Sequence, residues 1–201
     1  MGRDFNPLIH HLHQASEILS RVEDWTFDSF KLSEATSGRP LSTLAFFLFK
    51  RSGIVSLLDL PENKLATCLI SIEEGYRPNP YHSRTHAADV LRNLHMMLTR
   101  GHLFDVVRIN PPQQSTVAPA TAGEAGSTPT QEGKATVQPP HHPDMSLQDA
   151  RTLLTLYLSA VVHDYDHRGV TNAFLIQDED PIAVRPRLRE LLIVPPCISL
   201  L

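Results

Sequence analysis

Ser146-Leu147-Gln148-Asp149-Ala150-Arg151-Thr152-Leu153-Leu154-Thr155-Leu156-Tyr157-Leu158-Ser159-Ala160-Val161-Val162-His163-Asp164 is the stretch that decides the fold. Ser146 followed three residues later by Asp149 has the form of a capping box, which satisfies two backbone donors at a helix start. It opens a buried helix, Leu147 to Val162, whose apolar run ends directly on His163 and Asp164.

The same signals recur upstream. Pro7 to Glu23 carries Leu8, Ile9, Leu12, Ala15, Ile18, Leu19 and Val22 at helical spacing. Leu41 to Lys50, after Gly38-Arg39-Pro40, is short and strongly apolar. Asp59, Pro61 and Glu62 form a helix start, and that helix runs through Leu65, Leu69 and Ile72 to a stop near Gly75. Another begins near Ser83 and reaches Arg100, with Gly101 as its expected stop. No stretch shows two-residue alternation, and there is no internal repeat. The expected fold class is all-α.

Composition narrows the function. The chain has 201 residues, 41% of them hydrophobic, enough to bury a core. A net charge of −4 and a pI near 6.2 lack the basic footprint of a nucleic-acid binder. The most apolar stretches, Leu44–Phe49 and Leu153–Val162 (broken by Thr155 and Ser159), fall short of the roughly 18–20 residues that span a bilayer. Met1–Pro7 does not lead into a signal-peptide core. Two cysteines, Cys68 and Cys197, are too few for a disulfide framework, so a reduced, cytoplasmic setting is expected. Seven of the sixteen prolines fall within Asn110–Asp144, among Gln, Ser, Thr, Ala and Gly. Such a segment buries too little apolar surface to offset the entropy of ordering it, and is expected to be a disordered insertion.

The eleven histidines divide by position. His10, His11, His13, His141 and His142 are expected on the solvated surface, and His95 and His102 as packing or surface residues. The other four form two pairs, His82/His86 and His163/His167. At this histidine content roughly 0.6 HxxxH pairs arise by chance, so spacing alone says little. His163-Asp164-x-x-His167 is expected only about 0.04 times and is informative. A divalent ion takes imidazole nitrogens and carboxylate oxygens from rigid elements, and adjacent His163 and Asp164 offer both. Asp164 has two oxygens and can bridge two ions, while a second helix can bring in His86. From the residues alone two readings stand: a metal centre, or a hydrogen-bonded His–Asp cluster without one.

Tyr81-His82-Ser83-Arg84-Thr85-His86-Ala87-Ala88-Asp89-Val90 resembles the metal-site motif of the class I cyclic nucleotide phosphodiesterases. His163-Asp164-Tyr165-Asp166-His167-Arg168-Gly169-Val170-Thr171-Asn172, followed by Phe174-Leu175-Ile176, resembles their HDxxHxxxxN signature. Trp25-Thr26-Phe27-Asp28 with Phe30, and Gly38-Arg39-Pro40-Leu41, agree with it in order. The resemblance implies a helical bundle of the HD-type metal phosphohydrolase kind. It implies hydrolysis of cAMP or cGMP to the 5′-monophosphate with two divalent ions, zinc and magnesium (or manganese). By motif position His86, His163 and Asp164 would be metal ligands, with Asp164 bridging. His82 would be the general acid, His167 would lie near the second ion's waters, and Tyr81 would line the pocket.

The departures are Ser83 where the family has Asn, and Tyr165 and Arg168 where many relatives have Val and Pro. The expected organisation is a partial catalytic domain over 1–185, interrupted at 110–144, with a divergent tail at 186–201. That tail stands where a later aspartate ligand and a base-gripping glutamine are expected. The alternative on this reading is an incomplete, inactive chain that acts through association with a partner.

Overall fold

The computed structural model of the chain describes residues 7–107 and 145–180. The proline-rich segment 110–144, with His141 and His142, and the tail 186–201 lie outside the described residues. Within them the secondary structure is helical, with no strand, as expected. The helices are α1 (Pro7–Ser20), α2 (Ser29–Ala35), α3 (Pro40–Arg51), α4 (Ile54–Leu57), α5 (Glu62–Glu74), α6 (Arg84–Thr99), α7 (Leu103–Val107), α8 (Leu147–Val162) and α9 (Asn172–Gln177).

The caps explain most of these boundaries. Ser146 and Asp149 form the expected capping box of α8. The Ser83 hydroxyl accepts the His86 N–H at 3.4 Å and starts α6, so serine serves as the N-cap here. Asp28 accepts from Phe30 N and Lys31 N and starts α2, a helix too short to show a period.

Three local expectations need correction. The first helix ends at Ser20 rather than Glu23, in a turn held by Arg92, which donates to Val22 O at 3.0 Å and to Asp24 O. Asp59 does not cap α5: Pro61 occupies the N-cap, without a side-chain bond, and Asp59 has a φ of 50°. At the end of α6 the left-handed residue is His102 (φ 52°), not Gly101. Gly101 is needed for close approach, since a Cβ there would lie 2.7 Å from Met97 O.

The core lies where α3, α5, α6 and α8 meet. Leu41, Leu44, Leu48 and Phe49 of α3 face Leu65, Leu69 and Ile72 of α5 and Ala87, Ala88 and Leu91 of α6, all buried at helical spacing. Each fully buried leucine contributes about 2 kcal/mol through removal from water. Phe49 stacks on Tyr157 of α8 at 5.8 Å. Helices α6 and α8 pack antiparallel: His95 bonds Tyr157 in mid-helix, while His86 at the start of α6 meets Asp164 just past the end of α8. No described helix is long and apolar enough to cross a membrane.

A buried carboxylate completes the frame. Glu73, wholly enclosed, accepts from Leu41 N at 2.8 Å and Ser42 Oγ at 2.5 Å, capping α3 from α5. Burial pushes its carboxyl above the ordinary range, against the pull of those two donors.

Candidate metal centre

The antiparallel pair brings one helix start against one helix end. His86 stands in the first turn of α6, and His163 and Asp164 follow the last turn of α8. His163 Nε2 lies 3.1 Å and His86 Nε2 3.6 Å from Asp164 Oδ2. One ligand atom from each of the three residues lies within 4.8 Å of the others. In a tetrahedral zinc site, ligand atoms about 2.0–2.1 Å from the ion stand about 3.3 Å apart. The two separations from Asp164 are close to that spacing, and the three residues together could hold a metal ion.

The protonation pattern points the same way. His163 Nδ1 is 2.8 Å from Ala160 O and donates to it, which leaves the Nε2 lone pair facing Asp164. A lone pair and a carboxylate side by side need a positive charge between them, a proton or a cation. At His86, burial pushes the imidazole below its ordinary value despite Asp164, and His163 and His82 push it further down. Neutral imidazole is the form that binds metal. The carbonyl end of α8 favours a cation, while the N–H end of α6 favours an anion.

His82 and His167 lie beside this group without joining it. Their rings stack at 3.8 Å with planes 23° apart. Tyr81, largely exposed, lies 4.4 Å from the His86 ring and edge-on to His82 at 5.0 Å. His167 Nδ1 accepts the Gly169 N–H at 2.9 Å. All six residues singled out from sequence are thus within one neighbourhood, three of them as a ligand cluster. His95 is buried against Tyr157, while His11, His13 and His102 are exposed, as expected.

Sequence reasoning missed the residues that hold these loops. Tyr76 OH donates to Val161 O at 2.8 Å, tying the segment after α5 to the end of α8. Arg77 Nε lies 2.6 Å from Asp166 Oδ1. Asn79 Nδ2 donates to His167 O at 2.6 Å and reaches His82 O at 3.4 Å. The only sequence signal for them is the stiff Pro78-Asn79-Pro80 run. The two departures beside the signature also find partners: Tyr165 packs edge-on to Tyr76, and Arg168 pairs with Asp180.

Comparison with known proteins agrees with this picture. The family model of the 3′,5′-cyclic nucleotide phosphodiesterases matches residues 141–190. The chain is 30% identical over 169 residues to the probable 3′,5′-cyclic phosphodiesterase pde-3 of Caenorhabditis elegans, covering 83% of this chain and 22% of that protein. It is 30% identical over 197 residues to the rat cGMP-inhibited 3′,5′-cyclic phosphodiesterase 3A, covering 89% of this chain and 16% of that protein. Against the human dual specificity calcium/calmodulin-dependent 3′,5′-cyclic nucleotide phosphodiesterase 1B the identity is 28%, over 83% of this chain and 24% of that protein. The chain thus spans less than a quarter of the length of these relatives. With both signature segments in order, this similarity over most of the chain fits part of a class I 3′,5′-cyclic nucleotide phosphodiesterase.

Proposed function

We propose that the centre serves hydrolysis of a 3′,5′-cyclic nucleotide to its 5′-monophosphate, with residues 1–185 forming part of the catalytic domain and 110–144 an insertion in it. The observation that carries this reading is the convergence of His86, His163 and Asp164 within 4.8 Å, with His82 on the adjoining loop. His86, His163 and Asp164 would hold zinc, and Asp164, as a carboxylate, would also serve a second ion such as magnesium or manganese. When bound, such ions lower the pKa of water and offset the charge of a phosphodiester.

The remaining work falls to the protein's own groups. Water adds to phosphorus as the P–O3′ bond breaks, and the departing O3′ takes up a proton. His82, half-buried and in the segment just before the α6 cap, would give that proton. Its stacking on His167 holds the ring plane, and Tyr81 covers the open side of His86. The start of α6 presents its N–H end toward the same region, where it favours a phosphate.

The test is direct. Purified chain supplied with zinc and magnesium is expected to release 5′-AMP or 5′-GMP from the cyclic nucleotide, and His82→Ala to remove that turnover by about 100-fold or more. Turnover unaffected by His82→Ala would refute the role given to His82. No product with either nucleotide from the metal-loaded chain would refute the activity.

A further inference from the structure

His82 and His167 reach their stack from irregular backbone, because His82 precedes the α6 cap and His167 lies in the turn after α8. Two small rings in contact do not by themselves fix two loops in register. Something outside the rings must do so, and beside the packing of Tyr165 on Tyr76, two polar side-chain ties run between the described parts of the loops.

The first is the ion pair of Arg77 with Asp166 at 2.6 Å. Both side chains are about a third or more exposed, so solvent screens the pair and it contributes little. The second is Asn79, which is half-buried. Its amide donates to His167 O at 2.6 Å and reaches His82 O at 3.4 Å, so one side chain touches the backbone of both histidines. Its other atom, Oδ1, lies 2.8 Å from where a Cβ on Gly169 would stand. Gly169 also has a φ of 76°, a conformation open to glycine. The Asn79 backbone is restrained from both sides by Pro78 and Pro80 and by its own N–H to Arg77 O at 2.8 Å. A stiff backbone costs little further entropy when its side chain is held.

We propose that Asn79 is a positioning residue that latches the His82 loop to the His167 loop and sets the His82 ring against His167. The consequence for turnover rests on the reading of His82 as proton donor; the latch itself does not. Loss of the amide donor frees His167 O, and the stack opens while the ligand cluster on the helix ends stays in place.

The experiment reads the histidine rings by NMR in the full, zinc-loaded chain, with His82 and His167 assigned from His82→Gln and His167→Gln. In Asn79→Asp and Asn79→Ala, the His82 signals are expected to move to where they stand in His167→Gln. The His167 signals are expected to move to where they stand in His82→Gln. The buried His95 and the ligand His163 should keep theirs. Gly169→Ala, which crowds Asn79 Oδ1 without removing it, is expected to shift the same two residues. Unchanged His82 and His167 signals in Asn79→Asp overturn the latch. So does loss of the His95 signal in all three variants, which would make Asn79 a general structural residue. If the wild type hydrolyses a cyclic nucleotide, Asn79→Asp should lower kcat about 10-fold or more and change KM by less than about 2-fold. If it does not, the catalytic reading fails and the ring signals still decide the latch.

Discussion

The Tyr165 ring occupies the space that any side chain at Gly75 would need: a Cβ built on Gly75 would lie 2.1 Å from Tyr165 Cε2. The two residues come from the end of α5 and the turn after α8, and their fit seats the signature loop on the frame. Gly75→Ala is therefore expected to cost about 1–3 kcal/mol through overpacking. Tyr165→Val should relieve most of that cost when combined with it, and a urea double-mutant cycle measures the coupling. Additive effects would show that the ring simply swings aside.

Glu73 predicts an unusual pH response. Its folded pKa is raised, so the native state holds a proton that the unfolded chain gives up near the ordinary value of 4.5. The stability from this group is present below that value and is lost as pH rises through the folded pKa. Glu73→Gln cannot titrate and still accepts from Leu41 N, so its stability relative to wild type should grow as pH rises from 4.5 through the raised folded pKa. Glu73→Ala leaves that N–H without its partner and should cost about 1–3 kcal/mol. Denaturation at stepped pH separates the two, and a Gln variant that loses ground with rising pH would contradict the assignment.

His95 works in the opposite direction on the acid side. Burial pushes its imidazole down to about 4, outweighing the nearby Glu23 carboxylate. Between 6.5 and 4 the unfolded state binds a proton that the folded state refuses, so stability falls as pH drops through that window. The full difference is about 3 kcal/mol at the acid end. His95→Gln should flatten the slope by about one proton over this range, read from urea midpoints at pH 7, 6, 5 and 4. An unchanged slope would mean that other groups carry the acid response.

Asp164 separates metal binding from folding. Asp164→Asn keeps the shape but removes the charge between His86 and His163. Affinity for zinc, followed by competition with a chromophoric chelator, is expected to fall at least about 10-fold. The metal-free stability should change by less than about 1 kcal/mol, since the group is partly exposed. Equal affinity in the variant would remove Asp164 from the ligand set.

How much of this was readable in advance depends on how local the cause is. The Ser83 cap of α6, the capping box of α8 and the long apolar faces of both helices are written in contiguous residues, and so is His163-Asp164. The short helices α2, α4, α7 and α9 carry too few turns to show a period, and none was anticipated. Asn79 and Tyr76 were invisible because their partners lie 88 and 85 residues away, a tertiary relation that no local pattern carries.

The antiparallel pairing of α6 with α8 has a consequence for how this chain tolerates change. Both ends of the connection between them, Arg100 and Ser146, lie at the opposite pole from His86 and His163. Sixteen residues of α8 amount to about 24 Å of rigid rod. A reporter grafted directly onto either of those two helix ends therefore starts a full helix length away from the histidines.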